Sequence, residues 1–263
     1  MLPSLQKSSV PCGSCCSIPI KLHLLFPIFL VIQALSQINN GVLPVLMWFI
    51  VLGPFLMVTI LLHEFGHSLT ARKLGAEVHG ILLWPLGGLA FVGHSATPKV
   101  DFLVALAGPM THIPQLIIWI LLLYLSDGEV DLKITESRIK NDFWNALLAF
   151  FIVTNIVLML FNLFVPAFPL DGGRLVADTL LMWGVSDDLT AKIMVGLSVP
   201  MGAGVVIWGI VEFSPVTILV GLWILYSSWG LISALRNGTV SEHPLFLFTS
   251  DMETSFQDST SQL

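Results

Sequence analysis

Charge is what this chain is short of. Asp, Glu, Lys and Arg make up 11% of its 263 residues, against about 25% in an ordinary soluble domain. Hydrophobic residues make up 55% and the mean hydropathy is +0.88, which excludes a soluble globular domain over most of the length. Cysteine is scarce as well. All three, Cys12, Cys15 and Cys16, lie near the N-terminus, so no disulfide framework can span the chain. Cys12-x-x-Cys15 has half the spacing of a zinc site and no second half; a mobile tail or S-palmitoylation accounts for it. The 11 basic residues form no stripe with interleaved aromatics, which argues against a nucleic-acid partner. Met1–Ser17 carries one lysine ahead of a polar segment, a poor start for a cleaved signal peptide.

What the chain has in quantity is apolar runs: Leu22–Gln37, Leu43–Leu62, Phe102–Leu125, Phe143–Val165, Ile193–Val211 and Val216–Leu235. An apolar helix of about 20 residues crosses the hydrocarbon core of a bilayer. The expectation is an all-α polytopic membrane protein with about six transmembrane helices. Residues 1–21 would be a cytosolic leader, 22–236 the membrane domain and 237–263 a polar, disordered tail. Counting through the spans, Lys7, Lys21, Arg72, Lys73, Lys99, Arg174, Lys192 and Arg236 share one side. Lys133, Arg138 and Lys140 lie on the other, diluted by five acids between Asp127 and Asp142. An excess of Lys and Arg marks the cytosolic side, so both termini are expected there. The segment Ala76–Pro98 is too apolar for an ordinary loop. Its turn Pro85-Leu86-Gly87-Gly88, flanked by Ile81–Trp84 and Leu89–Val92, predicts a small β-hairpin at the membrane between the second and third spans.

Chemistry enters at the end of the second run, in His63-Glu64-Phe65-Gly66-His67. H-E-x-x-H on a helix sets two imidazoles on one face, one turn apart, where they can grip one Zn²⁺. Glu64 is then left to take a proton from the water that the metal activates. The helix is expected to continue to about Leu74, with Arg72 and Lys73 suiting its C-terminus. A catalytic zinc usually has three protein ligands. The best third is Asp171, in Pro166-Ala167-Phe168-Pro169-Leu170-Asp171-Gly172-Gly173-Arg174, at the same membrane boundary as the histidines. The prolines end the fourth span, and the glycines let the backbone pass close to a neighbour. The competing reading of Asp171 is an N-cap for the following helix. His112, inside the third span, reads as a satisfied polar residue rather than a fourth ligand; His79 and His94 read as hairpin surface.

These motifs resemble the site-2 protease family of intramembrane zinc metalloproteases. The resemblance rests on His63–His67, on Asn162 through Arg174, and on Leu106-Ala107-Gly108-Pro109 at the start of the third span. It implies a metalloendopeptidase that cleaves the transmembrane segments of membrane-protein substrates. It further implies one Zn²⁺ per chain on His63, His67 and Asp171, with Glu64 as general base. Asn162 would stabilise developing charge or hold substrate backbone; a structural hydrogen bond is its plainer role. Asn162 precedes Pro166 by one residue more than the family commonly shows, and no PDZ or CBS domain is visible. The hairpin resembles the family's membrane-embedded sheet, whose edge can pair with an unwound substrate strand. Three other readings fit less well. A prenyl-protein-processing zincin would need a ligand-like downstream glutamate, a zinc transporter would need acids or histidines in several spans, and a silent client-binding relative would not need the intact quartet.

Overall fold

The computed structural model describes residues 8–93 and 95–248; His94 therefore lies outside the described residues, as does the end of the expected tail. In chain order the elements are β1 (Ser9–Cys15), β2 (Ile18–His23), α1 (Leu25–Leu35), α2 (Val42–Ile50), α3 (Leu56–Lys73), β3 (Val78–Trp84) and β4 (Gly87–Val92). After these come α4 (Pro98–Met110), α5 (His112–Asp127), α6 (Glu136–Asn141), α7 (Phe143–Phe164), α8 (Asp171–Met182), α9 (Asp187–Val211) and α10 (Pro215–Asn237). Among the described residues five helical stretches are long and apolar enough to cross a membrane: Val42–Lys73, Pro98–Asp127, Phe143–Phe164, Asp187–Val211 and Pro215–Asn237. A shorter apolar stretch covers Leu25–Asn40.

The first of these spans is not one regular helix. Between α2 and α3 the residues Val51–Phe55 form a single widened turn, with Gly53 at φ −89°, ψ −107°. Pro54 has no N–H to give the ladder, so the turn opens there. Past it α3 runs unbroken through His63 and His67 to Arg72 and Lys73.

The sheet is larger than the expected hairpin. Its strand order is β1-β2-β3-β4. β3 and β4 turn at Pro85-Leu86 as the sequence indicates, and two further strands come from the leader. β1 and β2 pair antiparallel, with an irregularity between Pro11 and Ser14, and β2 runs parallel to β3, with Ile20 opposite Ile81 and Leu22 opposite Leu83. Residues 8–21 are thus not a simple tail. Ile18 and Ile20 are buried while Pro19 between them is exposed, an alternation too short to stand out among Pro, Gly and Cys.

By its contacts the chain divides into two compact units, and the dividing point Gly66/His67 falls inside the continuous helix α3. In the first unit Met47, Val51 and Phe55 pack with Leu123 and with Ala146–Ala149, Phe151 and Ile152. The Phe55 and Phe151 rings stack with centroids 3.8 Å apart. In the second unit Ala177, Ala191, Met194 and Leu231 pack with Val240, Leu245 and Phe246. The expected disorder from residue 237 therefore does not begin there. Three apolar side chains in a polar stretch are enough to seat Val240–Phe246, although composition alone reads the segment as solvated.

Candidate metal centre

The helical rise of 1.5 Å per residue puts His63 and His67 one turn apart on the same side of α3. His63, Glu64 and His67 are all buried, at 7%, 6% and 5% exposure. Three adjacent ionisable side chains withdrawn from water in an apolar helix are costly unless something compensates them.

Asp171 reaches the site through the turn that ends α7. The chain leaves Phe164 and passes through Val165–Leu170, with the Phe168–Pro169 peptide cis. It then enters α8 at Asp171. The two glycines that follow are sterically required. A Cβ on Gly172 would lie 2.5 Å from the Val165 carbonyl oxygen, and one on Gly173 would lie 2.5 Å from the Ala167 carbonyl carbon. The Phe168 N–H donates to Ser198 Oγ at 2.9 Å and ties the turn down. The N-cap position belongs to Leu170, which caps with no side chain. Asp171 is the first helical residue, where the N-terminal dipole favours a carboxylate, and the N-cap reading of it fails.

His67 Nδ1 lies 2.7 Å from the Val104 carbonyl oxygen. A carbonyl can only accept, so Nδ1 carries the proton and donates, and in the neutral ring the lone pair is left on Nε2. That Nε2 is 3.3 Å from Asp171 Oδ1. A lone-pair nitrogen and a carboxylate oxygen held face to face repel unless a proton or a metal cation lies between them. Zinc–nitrogen and zinc–oxygen bonds of ~2.0–2.2 Å in a tetrahedral site would set ligand atoms roughly 3.3 Å apart. One ligand atom each of His63, His67 and Asp171 lies within 4.8 Å of the others, and among the described residues they form the one such buried group. Two imidazoles and one carboxylate are a donor set that suits zinc and leaves a position open. The residues fit the ion.

Glu64 lies against the start of β4. A Cβ on Gly88 would fall 2.5 Å from Glu64 Oε1 and 2.6 Å from its Cδ, so only glycine at position 88 lets the carboxylate lie where it does. Gly88→Ala is accordingly expected to displace Glu64 and cut any activity that depends on it by ~10²-fold or more, with metal content unchanged. Zinc analysis beside an activity assay of the purified variant checks this.

Sequence reasoning passed over a partly buried charged cluster on α8 and α4. Arg174, one turn further along α8, donates to both oxygens of Asp101, from Nη2 at 2.6 Å and from Nε at 3.3 Å. The Ser95 hydroxyl donates to Asp101 Oδ1 at 2.8 Å. This two-point pair links α8 to the start of α4. A signal was present, since Asp101 is the only acid between Glu77 and Asp127 and sits at a span boundary. One more turn along α8, both Asp178 oxygens are buried beside the Asp101 carboxylate, with which a protonated Asp178 can share its proton. Burial, then the Asp101 charge, push its carboxyl up to about 8 against the pull of Arg174. A folded-state pKa above the unfolded one gives stability that is present below the ordinary value of 3.8 and lost as pH rises toward about 8. Asp178→Asn, which copies the protonated carboxyl, is expected to raise the unfolding temperature most near the upper end of that window and least near its lower end. Thermal unfolding at the two ends measures the difference.

Asn162 lies near the end of α7, partly buried. His112 is fully buried, outside the three-residue group, with Nε2 3.2 Å from His63 Nδ1. His79 is exposed on β3.

Five apolar spans and a buried two-histidine, one-aspartate group that could hold a metal ion define the class: a polytopic membrane protein with a candidate metal centre. Comparison with known proteins gives the family. The pattern of peptidase family M50 matches residues 49–137. The solved site-2 protease from Methanocaldococcus jannaschii superposes with a TM-score of 0.60 at 30% identity, over 84% of this chain and 94% of that one. A zinc metalloprotease of Methanocaldococcus jannaschii is 34% identical over 213 residues, 80% of this chain and 57% of the relative. Rip3 of Mycobacterium tuberculosis is 32% identical over 188 residues, 69% of this chain and 44% of the relative. The chain thus spans about half the length of the curated relatives it matches. It belongs to the M50, or site-2 protease, family, as its motifs suggested, and is an integral, multi-pass membrane protein.

Proposed function

We propose that this chain is an intramembrane zinc metalloendopeptidase that cleaves transmembrane segments of membrane-protein substrates. His63, His67 and Asp171 hold one Zn²⁺. When bound, zinc supplies Lewis acidity that makes water nucleophilic near neutral pH and polarises the scissile carbonyl. Glu64 takes the proton from the attacking water as its oxygen bonds to the carbonyl carbon, and delivers it to the amine nitrogen as the C–N bond breaks. Asn162 steadies the developing charge or the substrate backbone. The substrate helix must unwind first, because helical hydrogen bonds hide its carbonyls. β4, last in the strand order, offers an edge to which the unwound strand adds. Both termini face the cytosol, as the distribution of Lys and Arg indicates.

The observation that carries this reading is the face-to-face placement of His67 Nε2 and Asp171 Oδ1 at 3.3 Å, with His63 one turn away. The relatives' names, zinc metalloprotease and site-2 protease, point the same way. Cleavage of a single-span protein by the purified chain in lipid vesicles, lost in the variants argued below, tests it.

A further inference from the structure

Two buried side chains behind His63 are not used by the chemistry above. We propose that His112 and Asn155 form a relay that fixes the tautomer and orientation of His63, and so act as positioning residues for the metal. The proposal rests on the zinc reading of the site.

Asn155, in the middle of α7, is fully buried, and so is His112 at the start of α5. The amide of Asn155 is oriented by its own helix, because Nδ2 donates to the Phe151 carbonyl oxygen at 3.3 Å. That leaves Oδ1 as the atom 2.8 Å from His112 Nδ1. An amide oxygen only accepts, so His112 Nδ1 carries the proton and donates. In the neutral ring Nε2 then holds the lone pair, and this Nε2 is the atom 3.2 Å from His63 Nδ1. His63 Nδ1 must therefore be the donor, which puts the lone pair of His63 on Nε2. Each link leaves one choice for the next. The sequence of constraints starts at a backbone carbonyl of α7 and ends by dictating which nitrogen His63 can offer to an ion.

His67 reaches the same tautomer by a shorter route, through the Val104 carbonyl. One histidine is thus held by backbone, which no substitution removes, and the other by two side chains, which substitution can remove. Partners of this kind are worth about 10–100-fold in metal affinity. A purely adhesive hydrogen bond between helices would be worth stability and would leave that affinity alone.

The test uses the full chain, purified in detergent, with zinc affinity measured by competition against a chromophoric chelator and with thermal unfolding of the metal-free protein alongside. His112→Phe keeps the ring's bulk and removes the acceptor; its zinc affinity is expected to fall about 10–100-fold. His112→Gln can place an amide oxygen where Nε2 was, and is expected to recover most of that loss. Asn155→Leu frees the His112 tautomer and is expected to lose severalfold, less than His112→Phe. If the phenylalanine is not accommodated, Asn155→Leu and His112→Gln carry the same comparison. The relay is overturned if the folded His112→Phe and Asn155→Leu proteins bind zinc like the parent chain. It is also overturned if His112→Gln binds as weakly as His112→Phe at an equal metal-free unfolding temperature, which would leave only packing. A parent chain that binds no zinc at all would overturn the metal reading first and the relay with it.

Discussion

Asp171→Ala is expected to strip the metal and drop cleavage to background in one step. The carboxylate is the only anionic member of the buried group. Removing it leaves two neutral imidazoles to hold a divalent cation away from water, which their lone pairs cannot offset. The loss is not to be confused with unfolding. Asp171 is not the cap of α8, and the turn before it is held by the Phe168–Ser198 hydrogen bond and the close approach at Gly172 and Gly173. Metal-free parent and variant should therefore unfold at similar temperatures. Zinc content of the purified proteins and cleavage of a single-span substrate in vesicles are the two readouts, and they should fall together.

Glu64→Gln is expected to separate them. Glutamine has the same shape and fits the same space against Gly88, so the histidines on either side stay where they are and zinc content is unchanged. What it lacks is basicity. Its amide cannot take the proton from water or return it to the leaving amine, and general-base catalysis of this kind is worth ~10²–10⁴-fold. Cleavage should fall by at least that factor at full zinc occupancy. Substantial cleavage by Glu64→Gln membranes would remove Glu64 from the reaction.

How much of this was legible in the sequence depends on whether a feature is local. His63 and His67 are four residues apart on an apolar helix, so helical geometry alone pairs them, and the span pattern follows from the cost of charge in lipid. Asp171 could be singled out because ionisable residues near the spans are rare and because Gly172-Gly173 signals a tight approach. The strands in Ala76–Pro98 announced themselves through Pro85 and Gly87-Gly88. The relay could not be read, since His112 and Asn155 are 43 residues apart and only the packing of α5 on α7 joins them. The same holds for Asp101 and Arg174, 73 residues apart. The leader strands and the structured start of the tail were missed for a different reason. Each rests on two or three apolar side chains whose burial depends on a distant surface, and composition averages them away.

Zinc K-edge X-ray absorption on the purified chain tests the metal centre most directly. Two imidazole nitrogens and one or two oxygens at about 2.0–2.2 Å, with no sulfur, are what His63, His67 and Asp171 predict. An absent zinc signal, or sulfur at about 2.3 Å pointing to Cys12, Cys15 or Cys16, would contradict it.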